Sequence, residues 1–561
     1  MRLVGWVAVC ATASLAASPG LVGGPATAAA PTHQGARQAA LHAPQARHGH
    51  GPLPGGYRHL VVIYEENHSF DNLYGGWGRV GKQRVDGRGQ ASASSRTQVA
   101  QDGTAYTCLL QNDVNLTVPP LSARCADSHT VNTPAGPVAG FTSHFHNGTF
   151  DIDRYIRPED TTCPAPGQRA DHGVPKGEGL PGGCTEDLVH RFYQEQYQLN
   201  GGRQNRYVTG SDSVGLTMGH YRTRSLPIYR YLHSRRAPKY VVADRFFQSA
   251  FGGSFLNHQW LIAARSPLDT AAGPGGADEG LHSVVDANGF PNAGYPLYHP
   301  TTTAVKDAQL TQACGPAADP ALACGDFAVN TMQPSSPPAA ATGARLPLID
   351  DATYPNIGDR LTDAGLSWSW YSGGWADAAA GTPGPLFQYH HQPFNYFANY
   401  APGQPGRRHL RDEKRFFHAA RTGGLPAVSF VKPYGDENEH PGYSSEPNGS
   451  DHLVRLLKAV TRGPQARSTL VVVTYDEFGG QWDHVPPPGM GTRGAHDRWG
   501  PGTRIPALVL SRSFRKSGVD HRVYDTTSIL ATIEHSFGLR SLSSRDARVP
   551  GLARAVRIGG R

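Results

Sequence analysis

The sequence predicts an α/β fold in which a mostly parallel sheet is sandwiched by helices. Short runs of consecutive β-branched and other apolar residues recur along the chain, and segments with helical periodicity lie between them. Strands that are apolar without alternation are typical of a parallel sheet that is buried on both faces. The predicted strands cover residues 59–64, 239–243, 427–431, 469–475 and 505–510.

Helical periodicity and loop composition divide the rest of the chain. The candidate helices cover residues 187–199, 226–234, 452–461 and 526–537. Two long stretches, about 80–185 and 268–345, are rich in Gly, Pro, Ala and Asp, and we expect them to be insertions. The sequence thus predicts a single domain over residues 56–545, with a flexible linker at 31–55 and a C-terminal tail at 546–561.

The first thirty residues have the pattern of a secretory signal. Arg2 precedes a moderately apolar stretch over residues 3–17, and a small-residue run ends at residues 28–30. The alternative, a membrane anchor, needs about 20 continuous apolar residues. Ser14, Ser18 and Pro19 interrupt this stretch. We therefore expect a cleaved signal peptide at residues 1–30, a secreted or periplasmic protein, and no stable membrane anchor.

Cysteine usage agrees with an oxidising compartment. Outside the predicted signal, six cysteines fall as three sequential couples in the loop-rich stretches. Many pairings are possible, and proximity along the chain favours neighbouring partners. No CxxC spacing is present, so a structural zinc site is not expected. The favoured pairs are Cys108–Cys125, Cys163–Cys184 and Cys314–Cys324.

The charge pattern argues against a nucleic-acid partner. The formal net charge is +7, but Lys and Arg are scattered and often lie near Asp or Glu. No dense basic run is interleaved with aromatic residues, as a nucleic-acid track would be. A slightly basic surface would help an anionic substrate to arrive.

Polar residues follow the predicted strands at the points where they end. Glu66 and Asn67 come after the first strand, and Asp476 and Glu477 come after the strand at 469–475. In open α/β sheets, ligands bind beyond the carboxyl ends of the strands. Carboxylate and amide oxygens suit hard cations. Each pair alone could cap a helix or a turn, but both at strand ends predict one metal site.

A serine after two glycines is the candidate nucleophile. Gly252-Gly253-Ser254 follows the strand at 239–243, and the two glycines allow a ligand to approach the backbone closely. A serine hydroxyl becomes a good nucleophile when a base or a metal ion stabilises its alkoxide. Many such motifs are only turns, and the segment is not the GxSxG elbow of α/β-hydrolases.

Histidines are numerous, 26 in all, and several lie in polar settings. A lone histidine is more often structural or merely exposed. The pair His390-His391, flanked by aromatic residues, is better explained by a pocket. Histidines can contact phosphate oxygens and protonate a leaving alkoxide. Their abundance favours catalysis below pH 7.

Several motifs resemble those of a known family. Glu66-Asn67-His68-Ser69-Phe70-Asp71 resembles the ENRSFD signature of the bacterial phosphoesterase family, which holds acid phosphatases and phosphatidylcholine-type phospholipases C within the alkaline phosphatase-like superfamily. His68 replaces the usual arginine. Further matches lie at residues 475–480 with 483–485, at 439–441 and at 187–190, and the resemblance runs from about residue 57 to 540.

The resemblance implies specific roles. Ser254 is the expected nucleophile, with His190 and His440 as catalytic histidines, while Asn257, His390 and His391 would bind the substrate. One divalent ion is expected, and calcium, magnesium, manganese and zinc remain open. Asp483, His484 and Arg504 are expected in support roles only. The implied metal ligands are Glu66, Asn67, Ser254, Asp476 and Glu477.

The resemblance also implies an alkaline phosphatase-like core and a reaction. Residues 249–258 and 387–397 are closer to the acid phosphatase branch, so we expect hydrolysis of phosphomonoesters through a phosphoserine intermediate. The nearest alternative is a phospholipase C acting on phosphatidylcholine-like diesters. A non-catalytic secreted binding protein, or a relative of sulfatases or phosphoglycerate mutases, is a weaker alternative. The expected partner is a small phosphomonoester or a phospholipid.

Overall fold

An eight-stranded sheet forms the centre of the protein in this computed structural model. In chain order its strands are β1 (His59–Glu65), β2 (Lys239–Ala243), β3 (Trp368–Ser372), β4 (Leu410–Asp412), β5 (Val428–Lys432), β6 (Thr469–Tyr475), β7 (Ala507–Ser511) and β8 (Gly518–Asp520). Across the sheet they lie in the order β4-β3-β5-β1-β6-β7-β2-β8. All neighbours are parallel except β7, which is antiparallel to both β6 and β2. The predicted mostly parallel α/β sheet is confirmed.

The structure describes residues 51–110, 122–133, 135–156, 185–267, 284–285, 295–299, 305–306, 327–343 and 345–560. The predicted signal at 1–30, most of the linker and large parts of both predicted insertions lie outside these ranges. So do Cys163, Cys184, Cys314 and Cys324. All described residues belong to one unit, Ala46–Arg561.

Helices cover the sheet on both faces. In β6 all seven residues are buried, and in β1 only the first is partly exposed, so neither strand has a solvent face. The helices are α1 (Phe70–Leu73), α2 (Ala93–Arg96), α3 (Phe192–Leu199), α4 (Pro227–Leu232), α5 (Ser254–Ala263), α6 (Ile357–Asp363), α7 (Trp375–Ala379), α8 (Glu413–Thr422), α9 (Glu446–Arg462), α10 (Thr527–Phe537) and α11 (Ala553–Ile558).

The five predicted strands all exist, with ends within two residues of the predicted ones. β2 and β6 have the predicted bounds, whereas β5 and β7 begin and end slightly later. Three strands were not predicted. The sequence of β3, Trp-Ser-Trp-Tyr-Ser, lacks β-branched residues, and β4 and β8 are edge strands of only three residues each. The apolar run that predicts a buried strand is absent from all three.

The four predicted helices also exist. α4 and α10 match closely, α9 extends further in both directions, and α3 begins only at Phe192 because residues 187–190 form an irregular segment at the site. The other seven helices in the described ranges were not predicted. Among them is α5, all ten residues of which are buried, so its sequence lacks the apolar and polar faces that reveal an amphipathic helix.

One predicted disulfide lies within the described residues. Cys108 and Cys125 are bonded, with Cα atoms 5.8 Å apart, at the base of a hairpin formed by Cys125–Thr133 and Gly136–Ser143. The segment after residue 546 includes α11, whose Ala555 and Val556 are buried. Within the described ranges, no helix combines the length and apolar character needed to cross a membrane.

Candidate active site

The candidate site lies at the carboxyl ends of β1 and β6. These strands are parallel neighbours in register, with Glu65 opposite Tyr475, so the residues that follow them meet. The Asp476 N–H donates to the Glu65 carbonyl at 3.1 Å, and the Asn67 N–H donates to Asp476 Oδ1 at 3.2 Å. Gly479, with φ +62°, lies so close that a Cβ there would be 2.3 Å from the Asn67 carbonyl oxygen. The two predicted pairs therefore form one site.

Ser254 reaches this site from a tight turn. Ser254 is the first residue of α5. Gly252, two residues earlier, has φ +89°, and a Cβ at that position would lie only 2.7 Å from the backbone nitrogen of Phe192. The turn therefore requires glycine there. The Asn257 side chain holds the turn, since its Oδ1 accepts from the Ala250 N–H at 3.0 Å and its Nδ2 donates to the Gly252 carbonyl at 3.1 Å. Buried Glu195 accepts from the Gly252 N–H at 2.6 Å. The turn is fixed on several sides.

The Ser254 hydroxyl lies among oxygen atoms. Its Oγ is 3.1 Å from Glu477 Oε1, 3.2 Å from Asn67 Oδ1 and 3.3 Å from Glu66 Oε2. A hydroxyl has one proton to donate, so it satisfies only one of these three acceptors at a time. When Glu66 and Glu477 are both ionised, these four oxygens share a single proton, and a hard cation would stabilise that arrangement.

The carboxylates of the site are short of positive charge. Burial, and then the nearby Glu66 charge, raises the pKa of Asp476 to about 8, and burial with the Asp476 charge raises the pKa of Glu477 well above its ordinary value. Asp476 Oδ2 is buried and has no hydrogen-bond partner. The five residues expected to bind a metal thus come together, and their all-oxygen donor set fits a divalent cation.

Lys432 and His391 contact Glu66 on its other oxygen. Lys432 Nζ forms an ion pair with Glu66 Oε1, and His391 Nε2 is 2.9 Å from the same atom. Burial alone would raise the pKa of Glu66, but these two groups hold it well below its ordinary value. No role was predicted for Lys432. Its position at the end of the buried strand β5, next to β1, was the available signal.

Backbone carbonyls orient three histidines. His190, His258 and His440 each donate their Nδ1–H to a carbonyl oxygen, that of Leu188 at 2.5 Å, of Ser254 at 2.7 Å and of Pro441 at 2.6 Å. The Nε2 atoms are then the acceptors in the neutral rings. His190 Nε2 lies 3.4 Å from Glu477 Oε1, and His440 Nε2 lies 2.8 Å from Asn67 Nδ2. Both predicted catalytic histidines border the oxygen cluster.

The His390-His391 pair lines the same site from a different loop. The rings of His391 and His258 stack with centroids 5.2 Å apart and planes 6° apart, and His390 lies 6.1 Å from His258. Burial lowers the pKa of His391 to about 4, although the Glu66 charge opposes this. No role was predicted for His258, and the signal for it was its place one helical turn after Ser254.

Asp187 is a further site residue without a predicted role. Its Oδ1 is 3.5 Å from His190 Nδ1 and 4.0 Å from His440 Nε2, and Tyr443 donates to its Oδ2 at 3.0 Å. Ligand atoms of Asp187, His190 and His440 lie within 4.8 Å of one another, as do those of Glu66, His258 and His391. Polar donors and acceptors therefore surround the Ser254 hydroxyl from several loops.

His68, which stands where the resembled signature has arginine, does not enter the oxygen cluster. It is fully buried, with Nε2 2.8 Å from the Glu439 carbonyl oxygen and Nδ1 2.7 Å from Asn72 Oδ1. Burial lowers its pKa to about 4, so it is neutral. The substitution leaves Glu66 and Asn67 in place and joins their loop to the loop that carries His440.

Arg504 connects the residues expected in support roles. Its guanidinium is fully buried and lies 3.1 Å from Asp483 Oδ1 and 3.2 Å from Asp71 Oδ1. His484 Nδ1 pairs with Asp71 Oδ2 at 2.5 Å. This network, which we call the arginine cluster, joins the segment after β1 to the segment after β6, beyond Glu66 and Glu477.

The chain is similar in sequence to known proteins. Residues 171–540 match the model of the Phosphoesterase family. Phospholipase C B of Mycobacterium tuberculosis is 24% identical over 530 residues, which cover 88% of this chain and 76% of that protein. Non-hemolytic phospholipase C of Burkholderia pseudomallei is 31% identical over 246 residues, covering 36% of this chain and 34% of that protein.

Among solved structures, a protein in the alkaline phosphatase superfamily from Vibrio parahaemolyticus is 15% identical and covers 34% of this chain and 50% of that chain. Its TM-score of 0.21 is too low to carry an argument. The family match rests on sequence. It spans more than half of the chain and includes Ser254, Asp476 and Glu477. This chain therefore belongs to the phosphoesterase family and is a hydrolase that acts on phosphoester bonds.

Proposed function

We propose that this hydrolase is a metal-dependent acid phosphatase that cleaves phosphomonoesters through a phosphoserine intermediate. The observation that carries the proposal is the Ser254 hydroxyl, which starts a ten-residue buried helix and lies within 3.3 Å of oxygens from Glu66, Asn67 and Glu477. A nucleophile in this position lies next to the proposed ligands of a cation, which could activate its hydroxyl.

Five residues would hold one divalent ion: Glu66, Asn67, Ser254, Asp476 and Glu477. When bound, such an ion lowers the pKa of a coordinated hydroxyl and neutralises charge on phosphoryl oxygens. The all-oxygen donor set suits calcium, magnesium or manganese, and zinc also accepts carboxylate ligands. Removal of the ion with a chelator should stop turnover.

Ser254 Oγ gives its proton to the Nε2 of His440 or His190 and forms a bond to phosphorus, while the ester P–O bond breaks. The same ring then passes this proton to the departing oxygen, and the centroids of the two rings are 6.2 Å apart across the same space. A water molecule next attacks phosphorus and gives one proton to the ring, which returns it to the serine oxygen as inorganic phosphate leaves. We assign the catalytic roles to Ser254, His440 and His190 on this basis.

The enclosure of the site supports a monoester substrate. Ser254 is 5% exposed and His391 is 3% exposed. A terminal phosphate group is compact enough to reach so enclosed a hydroxyl more easily than a phosphodiester, which carries a substituent on each side of phosphorus. His390, His391 and Asn257 are the proposed substrate-binding residues. Asn257 acts in part through the turn, because its amide donates to backbone carbonyls there.

A phospholipase C activity is the second candidate. The similar curated proteins from Mycobacterium tuberculosis and Burkholderia pseudomallei are both named phospholipases C. Such an enzyme would cut a phosphodiester and release a phosphorylated headgroup. A non-catalytic binding protein has less support, because it would be expected to lose ligands or nucleophile, and this chain retains all five proposed ligands, the serine among them.

A two-substrate assay separates the candidates. Phosphate release from p-nitrophenyl phosphate and headgroup release from phosphatidylcholine vesicles would be measured across pH, with and without a chelator. We expect chelator-sensitive hydrolysis of the monoester, faster below pH 7, and little release from phosphatidylcholine. Preference for the lipid would replace the phosphatase proposal, and activity insensitive to chelator would contradict the metal.

We also propose that the protein is secreted after cleavage of residues 1–30. The signal-like pattern of this segment supports export, and the Cys108–Cys125 disulfide supports an oxidising compartment. N-terminal sequencing of the protein from culture medium should begin at or soon after residues 28–30. An intact N-terminus on protein that stays in the cytoplasm would contradict the proposal.

A further inference from the structure

Three grooves rich in arginine lie on the edge of the sheet opposite the active site. The first, of about 490 Å³, lies between α4 and α9 and is lined by Arg230, Arg235, Arg236, Lys458 and Arg462, among others. The second, of about 550 Å³, adds Arg467 and Arg512. The third, of about 1150 Å³, adds Arg58 and Arg515. We call this surface the basic face.

The fold places the basic face far from the catalytic serine. Arg58 precedes β1, Ser468 precedes β6, and Arg512 follows the antiparallel β7, so all three lie where the parallel strands begin. The active site lies where β1 and β6 end. Seven residues of extended strand separate the two edges by roughly 20 Å. A ligand on the basic face does not enter the active site.

The basic face carries a large excess of positive charge. The side chains that line its grooves include nine basic residues against a single acidic one, Asp451. This excess of positive charge compares with a formal net charge of +7 for all 561 residues. Eight of the nine are arginines, and all of those eight are exposed. An excess of positive charge along a groove attracts anions.

The three grooves form one continuous path. Arg236 and Arg462 line both the first and the second groove, and Arg512 lines both the second and the third. Arginine offers a planar fork of donors that matches phosphate oxygens. A row of such forks along connected grooves suits a chain with repeated anionic groups better than it suits a single small anion.

We propose that the basic face binds a linear polyanion with repeating phosphate groups. A bilayer fits less well: in the part of the chain that is described, the large apolar side chains with high exposure are Val138 and Leu348, and neither lines a groove. Membrane-binding faces commonly insert apolar residues. A bilayer on this face would also hold the active site away from the lipid.

Nucleic acid is also a weaker match. Single strands bind on exposed aromatic side chains that stack with bases. The aromatic residues that line the grooves are Tyr231, which is partly buried with Lys458 Nζ 5.8 Å from its ring centroid, and Phe514, which is buried. The recognised chemistry is therefore the phosphate chain itself.

The test uses the full chain and a fluorescently labelled medium-chain inorganic polyphosphate. Binding is measured by anisotropy at several salt concentrations, in a Ser254→Ala background so that the probe is not hydrolysed. The triple variant Arg236→Glu, Arg462→Glu, Arg512→Glu should bind at least about tenfold more weakly. The matched control is Arg96→Glu, Arg203→Glu, Arg415→Glu, which reverses three arginines that are exposed elsewhere and should change affinity about twofold or less.

With Ser254 restored, both triples should hydrolyse a small phosphomonoester at the wild-type rate, so this inference and the proposed function fail separately. If the first triple does not fold, the glutamine versions of the same three substitutions replace it. Equal loss in both triples, or no binding of polyphosphate by the parent, would overturn the proposal. Binding to anionic phosphatidylglycerol vesicles but not to polyphosphate would overturn it in favour of a membrane surface. Preferential binding of a single-stranded oligonucleotide would overturn it in favour of nucleic acid.

Discussion

Two buried carboxylate clusters lie next to each other and come from the same two segments of the chain. The segment after β1 gives Glu66 to the candidate active site and Asp71 to the arginine cluster. The segment after β6 gives Glu477 to the first and Asp483 to the second. Both clusters are buried and come from the same two segments, but they differ in the cationic side chains that contact their carboxylates.

The arginine cluster carries its own positive charge. Arg504 contacts both of its aspartates, and although burial opposes it, the Asp71 charge raises the pKa of His484 to about 9. Among the carboxylates of the active site, Lys432 and His391 pair with Glu66, and the pKa values of Asp476 and Glu477 are raised. In the arginine cluster, cationic side chains pair with the carboxylates, and we expect these pairs to stabilise the fold. In the active site Lys432 and His391 do not pair with Asp476 and Glu477, so these carboxylates are available for a metal and a substrate.

The largest expected effect is on turnover. Ser254→Ala removes the proposed nucleophile, and kcat/KM for a phosphomonoester should fall by at least about a thousandfold. The melting temperature should stay close to that of the wild type. Ser429→Ala, which changes a buried serine in β5, is the matched control and should retain most of the activity. A Ser254→Ala enzyme with near-native rates would exclude this serine as nucleophile.

Breaking the arginine cluster should cost stability. Arg504→Met leaves Asp71 and Asp483 buried beside each other without their shared cation, and the free energy of unfolding should fall by about 3–5 kcal/mol. Urea denaturation measures this, and Arg504→Lys should restore part of the loss because the charge returns. A fall of less than about 1 kcal/mol would mean that the cluster does not stabilise the fold.

Neutralising a carboxylate at the active site should act in the opposite sense. Because the pKa of Glu477 is raised in the folded protein, folding at neutral pH in chelator must either protonate this carboxylate or bury its charge. Glu477→Gln removes that cost and should raise the melting temperature of the metal-free protein. With metal at a hundred times its Kd, the wild type should gain about 2.7 kcal/mol of stability, and the variant should lose most of that gain. Thermal melts with and without the metal give both numbers. Destabilisation of the metal-free variant would show that the two clusters do not differ as described.

The smallest expected effect is a dependence of stability on pH. The folded-state pKa of His484 is raised to about 9, above its ordinary value of 6.5. Its contribution is therefore fully present below pH 6.5 and is lost as pH rises through about 9. The wild type should lose on the order of 2 kcal/mol of unfolding free energy over this pH range through His484, and His484→Gln should abolish that loss. Unfolding curves of both proteins at several pH values test it, and parallel curves would contradict the pairing with Asp71.

The sequence predicts much of the active site because its residues follow strands. Glu66 and Asp476 each come directly after an apolar run, and the ends of parallel strands meet at one edge. The direction of β7 does not follow from sequence, because a strand buried on both faces is apolar in either direction. The ion pair of Lys432 depends on which strands are neighbours, and a linear pattern does not record that.

The basic face was hidden from the sequence for a related reason. Its arginines come from separate segments, at Arg58, Arg236, Arg462 and Arg512, so no run of basic residues forms along the chain. From the net charge and the local density of basic residues along the sequence, Lys and Arg look scattered. The fold gathers these residues because each lies near the same end of the sheet.

The central position of β1 has a consequence for how the protein is made. β1 pairs with β5 on one side and β6 on the other, and the Asn67–Asp476 contact spans 409 residues. At a synthesis rate of about 5–20 residues per second, roughly 20–80 s separate the appearance of the first strand from that of its second partner. Until β5 (Val428–Lys432) is made, β1 is an apolar segment without either neighbour. A chain that stops before residue 475 lacks Asp476 and Glu477, so we expect it to be inactive, and it leaves one side of β1 without a partner strand.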